Sequence, residues 1–587
     1  MRKFSFCLIT VCLLAFASAN AQQQESYTFC VADSYAYLFD TSAATSSSYY
    51  KRWTLSSPTA YAAYFLTGDT ILQSVEYKIT GSPGTGGTTG KARKIRWDGT
   101  VVWEYSVSTA TTQMHHDMYG MPNGNVLFII YEEQSASPTT VGCSQTLTVW
   151  SEKIIEVKPT GVAPSGAWGG TVVWEWHLWD HICQSVYPAV TSTYVTSVSD
   201  HPELLNVNYN MTQDWIHMNG VDYNAELDQV IFSSHMMNEV YVIDHSTTTA
   251  EAASHSGGRS GKGGDFLYRW GNPAAYGLTA GGNNSGFNVI HDAHWVPSTN
   301  PDWPDYMCAY NNNTVGNVQI VIWEPPYDTV AGYVGYDFTP GSIIGPTTCT
   351  KPTIPSFTAS NEGNSQQLDN GNILLTKPAV GPSGGTFYEV SGSGTTYQTV
   401  SVKSSHAYRV SKCQVRGPSA TAGASATNVT SGTVINLSSS AIAPSETNPV
   451  YTYSWSSVPA GFSSVDQNPT ATVTADTRYI VTITNTELGC SDTASVLVAL
   501  GSGINDAAFH NDLAIYPNPT TGIVNLSEAF ITTTDFTIVV YNSFGESIIS
   551  GKNLKSFDLS EQANGIYFLA IATEDGSIIN KKVILMK

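Results

Sequence analysis

Apolar positions in the first two thirds of the chain fall in short runs, not in helical stripes. Gly99-Thr100-Val101-Val102-Trp103-Glu104-Tyr105 returns as Gly170-Thr171-Val172-Val173-Trp174-Glu175-Trp176, with weaker echoes at Phe266-Leu267-Tyr268-Arg269-Trp270 and Ile320-Val321-Ile322-Trp323-Glu324. β-Branched and aromatic runs entered from Gly or Asn turns are the mark of strands. A second element recurs as well. Pro122-Asn123-Gly124-Asn125 leads into Val126-Leu127-Phe128-Ile129-Ile130, and Asp369-Asn370-Gly371-Asn372 leads into Ile373-Leu374-Leu375. Asn-Gly supplies the positive φ angles of a tight hairpin turn. Repeated multi-strand units with Trp-bearing strands predict an all-β chain that opens with a β-propeller, for which six blades are expected.

After Cys413 the composition shifts to Ser, Thr, Val and Ala in short alternating runs. Tyr451-Thr452-Tyr453-Ser454-Trp455, Ala471-Thr472-Val473-Thr474 and Tyr479-Ile480-Val481-Thr482-Ile483-Thr484 fit a small β-sandwich. A Gly501-Ser502-Gly503 linker follows, and alternation from Leu513 onward predicts a second small sandwich. The expected division is a signal peptide at 1–21, a propeller at 22–412, a sandwich at 413–500, a linker at 501–512 and a terminal module at 513–587.

Charge and composition narrow the function. Acidic residues number 47 against 26 basic ones, a formal charge of −21. That balance argues against nucleic acid, which is held mainly by cationic side chains, and against an anionic membrane face. Arg2 and Lys3, the apolar run Phe4 to Phe16 and Ala17-Ser18-Ala19-Asn20-Ala21 form a secretory signal, with cleavage expected after Ala19 or Ala21. No membrane span is expected. Cys30, Cys143, Cys183, Cys308, Cys349, Cys413 and Cys490 remain in the mature chain. They have no CxxC or zinc spacing, and their pairing is left open.

Of 13 histidines, 12 precede residue 410, which makes the propeller the chemical domain. His116 stands seven residues before Asn123, His217 seven before Asn224, and His291 nine before Asn300. Equivalent places on different blades converge on one channel, so these histidines are expected to meet although 101 and 74 positions separate them. Strand alternation puts His217, Asn219 and Trp215 on one face. It lets only one residue of His115-His116, and one of His291 and His294, reach the channel. Chelation within one strand is therefore awkward, chelation between blades is left open, and no metal or cofactor is expected. His177, His181, His201, His245 and His255 fall between the predicted strands and are expected to be solvated.

His-His-Asp followed by Asn-Gly-Asn at 115–125, Asp-Trp-Ile-His-Met-Asn at 214–219, Ser-Ser then Val-Tyr-Val-Ile-Asp within 233–244, and His-Asp-Ala at 291–293 together resemble the bacterial aryl-sulfate sulfotransferases, periplasmic six-bladed propellers. The resemblance spans residues ~90–392. It implies that His291 carries the sulfuryl group covalently, while His116, His217 and Asn219 hold the sulfate and the phenolic oxygen. His115, His235, His294 and Arg269 are further candidates for substrate binding. One departure matters: where the family has an arginine, His235 stands here, and a guanidinium is a permanent fork while imidazole is a conditional donor. Arg269 or Arg259 would have to supply the cation. Residues ~414–500 resemble PKD-type immunoglobulin-like modules. Leu513 to Lys587 resembles the type IX secretion sorting domain of Bacteroidetes-like bacteria, an export address read by that machinery.

The chemistry is coherent without a metal. Sulfuryl transfer places negative charge on three outer oxygens, so positioning and electrostatic stabilisation dominate. A neutral imidazole is a competent nucleophile, and a phenol leaves with modest help from a histidine acid. Trp174, Trp176, Trp215 and Trp295 are candidates to stack on an aryl ring, set against the commoner use of such residues in inter-blade packing. The competing readings are a non-catalytic secreted adhesin or ligand scaffold, and a metal- or quinone-dependent propeller enzyme.

Overall fold

The structure, a computed structural model, describes residues 26–41, 49–66, 68–84, 86–161, 168–278, 285–330, 333–337, 339–379, 385–443, 449–500, 515–526, 536–542, 547–573 and 578–587. The signal segment and the 501–512 linker lie outside the described residues. Strand dominates. Helix among the described residues is limited to short turns such as Thr249–Ala252 and Lys412–Arg416. The chain divides into two compact units, the first running to Gly417 and the second comprising 418–442 and 449–587.

The first unit holds, among the described residues, five four-stranded sheets and one three-stranded sheet, with two small ribbons. In chain order the sheets begin at Ala63–Phe65, Thr112–Gly120, Met218–Asn224, Ile290–Trp295 and Ser365–Gln367. The sixth joins both ends of the unit, because Ala407–Ser411 pairs with Ser26–Ala32 ahead of Tyr35–Asp40 and Tyr49–Thr54. The four Trp-bearing repeats become the last strand of four sheets: Val101–Tyr105, Gly169–His177, Tyr268–Trp270 and Gln319–Trp323. The two Asn-Gly turns open the second strands Val126–Ala136 and Asn372–Lys377.

Sheets packed on both faces need strands apolar on both faces. Gln229–Ser234 and Glu239–Asp244 are buried at every position. Trp174, Trp176 and Trp215 are buried in one apolar cluster with Leu127, Ile129 and Phe232, and Trp295 is buried with Trp270 and Trp323. Burying one such ring removes roughly 200 Å² from water, about 5 kcal/mol of gross stabilisation. Their indoles bond inward: Trp174 to Thr247 Oγ1, Trp176 to Gly264 O and Trp215 to Tyr209 O. Trp174, Trp176 and Trp215 pack sheet against sheet, whereas Trp295 lines a cavity.

A circle of side-chain bonds fixes the first strands to one another. Tyr64 donates to Asp117, whose other oxygen accepts from Val221 N at 3.0 Å. Asp222 accepts from Trp295 N at 3.0 Å, Asp292 from Ser365 N at 2.8 Å, and Gln366 from Arg409 N at 2.7 Å. Tyr408 closes the circle against Tyr64, their rings 4.8 Å apart. The aspartates that follow the motif histidines thus bridge from each sheet to the next. Burial pushes the Asp117 carboxyl up to about 7 and that of Asp222 up to about 6.

Both parts of the second unit are two-layered. In 418–500, one sheet of three strands and one of four enclose Trp455, Tyr479, Val481, Ile483 and Val498. In 515–587, sheets of three and four strands enclose Ile538, Val540, Leu569 and Val583. The free thiols among the described residues are Cys30, Cys143, Cys183 and Cys308, all buried, and half-buried Cys349.

Candidate active site

Three of the first strands carry a β-bulge at their histidines: between Met114 and Met118, between Met218 and Gly220, and between His291 and His294. A bulge adds a residue, bends the strand and re-aims a side chain. His116, His217 and Asp292 take the left-handed conformation there, with φ of 46°, 55° and 54°. Such non-glycine residues cost on the order of 1–3 kcal/mol and concentrate at functional sites.

The bulges turn the histidines inward. Ring centroids step 4.6 Å from His116 to His217, 5.0 Å from His217 to His235 and 5.8 Å from His235 to His291. Residues far apart in sequence therefore form one continuous imidazole cluster. Tyr61 lies against His116 at 4.7 Å and against His406 at 5.4 Å. An adjoining cavity of about 340 Å³ is lined by Tyr61, Glu362, Lys403, Ser404, Ser405 and His406. Backbone covers the cluster from one side: His116 N donates to Gly87 O at 2.6 Å, and a Cβ on Gly87 would fall 2.1 Å from the His116 ring. Only glycine permits that approach.

Each imidazole is oriented from behind. His291 Nδ1 lies 2.7 Å from Asn312 Oδ1, and Asn312 Nδ2 donates to Glu362 O at 2.9 Å. That second bond fixes the amide, so its oxygen accepts the His291 Nδ1 proton and Nε2 keeps its lone pair. Glu362 N–H donates to that lone pair at 3.3 Å. His217 Nδ1 lies 2.8 Å from Asp214 Oδ2 and 3.0 Å from the Tyr131 hydroxyl. His115 is fully buried, stacked 3.6 Å from Tyr131 and wedged between His116 and Glu152. Burial is the main reason that His116 stays well below the ordinary imidazole range, His235 falls to about 4 and His291 to about 3; neighbouring histidines add to each shift.

The remaining candidates sit elsewhere. Asn219 is spent inside the sheet, donating to Ile290 O at 2.6 Å and accepting from Ser233 Oγ at 2.7 Å, because the bulge breaks the alternation that would align it with His217. His294 faces the other end of the ring, in a cavity of about 910 Å³ shared with Asp117, Asp222 and Asp292. Its two nitrogens meet Asp292 O at 2.9 Å and Gln367 Oε1 at 2.7 Å. Burial opposes a charge on His294, but Cys308 and Asp292 raise it well above the ordinary range. The smaller cavity, which also carries Asp33, meets the imidazole cluster through Tyr61 and His406. Arg269 is fully buried, forking onto Glu239 and donating to the Pro202 and Leu204 carbonyls. Arg259 is half exposed, 3.5 Å from Asp228.

The expectation of five solvated histidines is corrected in part. His181 is fully buried, and His245 is wedged between Asp228 at 2.8 Å and Glu156 at 3.1 Å. His177 ends a strand beside Glu132, whereas His201 and His255 remain accessible. Tyr61, Glu152, Asn312, Glu362 and His406 escaped the sequence reading. Glu152 left the clearest trace, an acid inside the long strand Leu147–Thr160.

Residues 50–320 match the arylsulfotransferase family. The arylsulfotransferase stretch contains all four clustered histidines together with Glu152 and Asn312, while Glu362 and His406 lie beyond it. Residues 514–586 match the secretion system C-terminal sorting domain. The two matches support an aryl sulfotransferase directed to secretion or the cell surface, and among the described residues no helix is long and apolar enough to cross a membrane. None of the curated proteins matches the chain. Among solved structures, the chain is 12% identical to the Pseudomonas aeruginosa periplasmic gluconolactonase PpgL, covering 66% of this chain and 99% of that one, with a TM-score of 0.34. It is also 12% identical to the three N-terminal domains of the bacteriophage RB49 Highly Immunogenic Outer Capsid protein, covering 29% of this chain and 59% of that one, with a TM-score of 0.15. Scores this low carry no inference about activity.

Proposed function

We propose that the chain moves a sulfuryl group from an aryl sulfate to a phenol through a covalent intermediate on His291, without a cofactor. The observation that carries this reading is the continuous contact of His116, His217, His235 and His291 beside one cavity, inside the arylsulfotransferase stretch. His291 is fitted for attack, since Asn312 holds the proton on Nδ1 and burial keeps the ring neutral.

In the first half, the Nε2 lone pair gives up its bond from Glu362 N–H and forms an N–S bond as the S–O bond to the aryl group breaks. The leaving oxygen keeps the electron pair and takes a proton from His116 Nε2, refilled from Glu152 through His115. In the second half, the acceptor phenol gives its proton to His116, which passes it back to Glu152, and the phenol oxygen attacks sulfur as the N–S bond breaks. Protons balance over the cycle. His217, backed by Asp214, and His235 face the sulfuryl oxygens, with Lys403, paired to Asp33 at 2.9 Å, at the cavity edge.

The terminal module acts as an address for type IX export, and residues 413–500 serve as a spacer. The test is to incubate the protein with a chromogenic aryl sulfate and a phenol, and to seek a sulfur label on histidine. Phenol release, label on His291 and loss of both in His291→Ala are expected. Turnover undiminished in His291→Ala would reject the intermediate.

A further inference from the structure

Away from the imidazole cluster, His181, His255 and Asp265 bring three ligand atoms within 4.8 Å of one another. One oxygen, Asp265 Oδ1, lies 2.8 Å from His181 Nδ1 and 2.7 Å from His255 Nδ1. The rings stand 5.8 Å apart at 89°. His181 also lies 2.8 Å from the Ala252 carbonyl through Nε2. A carbonyl only accepts, so Nε2 carries a proton, and Nδ1 is the atom that faces the carboxylate oxygen. A cation held at that point would bind both atoms together with His255 Nδ1.

We infer that His181 Nδ1, His255 Nδ1 and Asp265 form a site for a divalent transition metal such as Zn²⁺, with a coordination position left toward solvent. Two imidazoles and a carboxylate are a standard set for such an ion. The bond from His181 Nε2 to a carbonyl is the outer-shell contact that fixes tautomer and ring direction in metal-bound histidines. Tetrahedral ligands at 2.0–2.1 Å from zinc stand roughly 3.3 Å apart, so each Asp265–histidine distance needs to open by about half an ångström.

The surroundings fit. Trp176 stacks on His181 at 5.6 Å and 2°, which holds that ring in place. Gly264 lets the chain close in, since a Cβ there would fall 2.0 Å from Ala252 O and 2.5 Å from His181 Nε2. His255 and Asp265 bracket a loop with Gly257, Gly258, Gly261, Gly263 and Gly264. A metal joining both ends of that loop to His181 would offset the entropy of closing it. His255 is 60% exposed, which gives the ion an entry path.

The test uses the full chain stripped with a chelator, titrated with Zn²⁺ and separately with Co²⁺ as a spectroscopic probe. One equivalent of Zn²⁺, visible Co²⁺ d–d bands and a rise in the thermal midpoint are expected. His255→Ala, which removes an exposed side chain and is checked for folding by circular dichroism, should bind Zn²⁺ at least tenfold more weakly and lose the Co²⁺ bands; Asp265→Asn should do the same. Failure of the unaltered protein to take up Zn²⁺ would overturn the site, as would equal affinity in His255→Ala. Neither result depends on sulfuryl transfer.

Discussion

His115 Nδ1 stands 2.9 Å from His116 Nδ1, and His115 Nε2 stands 2.8 Å from Glu152 Oε2. One proton must lie between the two facing nitrogens, so the three groups titrate as a chain. Burial raises Glu152 well above the carboxylate range and pushes both imidazoles down. The neutral arrangement follows: the carboxyl donates to His115, His115 donates to His116, and His116 presents Nε2–H to the substrate. Loss of that proton empties the chain at its far end without creating a buried imidazolium.

Glu152→Gln keeps a donor to His115 but can neither yield nor receive a proton. Aryl sulfate turnover should fall about a hundredfold, within the range of general acid–base effects, while KM changes less than about threefold. The deficit should shrink for donors whose phenol is strongly acidified. Equal deficits across leaving groups would show that Glu152 merely supports the fold.

The pH profile offers a second check. Burial lowers His291 to about 3, whereas free histidine titrates near ~6.5. A depressed imidazole sheds its proton at lower pH, so the nucleophile stays neutral well into the acid range. The acid limb of kcat/KM assigned to His291 should therefore lie near 3–4. Asn312→Leu removes the acceptor that holds Nδ1–H and should cost about 10²–10³ in kcat. A limb near 6.5, or full activity in Asn312→Leu, would count against this assignment.

The repeats made the strands legible, and the spacing of histidines before hairpin turns made their convergence legible too. Alternation failed where a bulge intervenes, which is why Asn219 turns away from His217, while His294 turns away from His291 as positions three apart on a strand are expected to do. Partners from other strands of the same sheet left no local signal. Asn312 and Glu152 become orienting groups only once strands of the same sheet pair, whereas Asp214 stands three residues before His217 inside the motif. His245 is reached by Glu156 from a strand and by Asp228 from a turn. Glu362 and His406 lie outside the motifs altogether.

His245 gives a stability test. Burial alone would lower it, but bonds to Asp228 and Glu156 hold it up at about 9. A folded-state value above the unfolded one of ~6.5 contributes stability that is full below ~6.5 and fades as pH rises through about 9. His245→Gln should cost on the order of 2 kcal/mol at neutral pH, read by denaturant unfolding, and markedly less near pH 10. A cost independent of pH would mean that packing against Trp174, rather than charge, accounts for the loss.

Arg269 and His235 divide two roles that one guanidinium could combine. Arg269 and Glu239 are both fully buried, so removing one partner strands a charge, at about 3–5 kcal/mol. Arg269→Met should therefore lower the thermal midpoint by several degrees and leave KM for an aryl sulfate unchanged in the folded fraction. His235 touches His217 and His291 and, held at about 4, is uncharged at neutral pH. His235→Arg places a permanent cation there and should lower KM for the anionic donor about tenfold, with the gain shrinking as pH falls toward 4 and His235 itself charges. A KM rise in Arg269→Met, or none of this gain in His235→Arg, would reverse the division of roles.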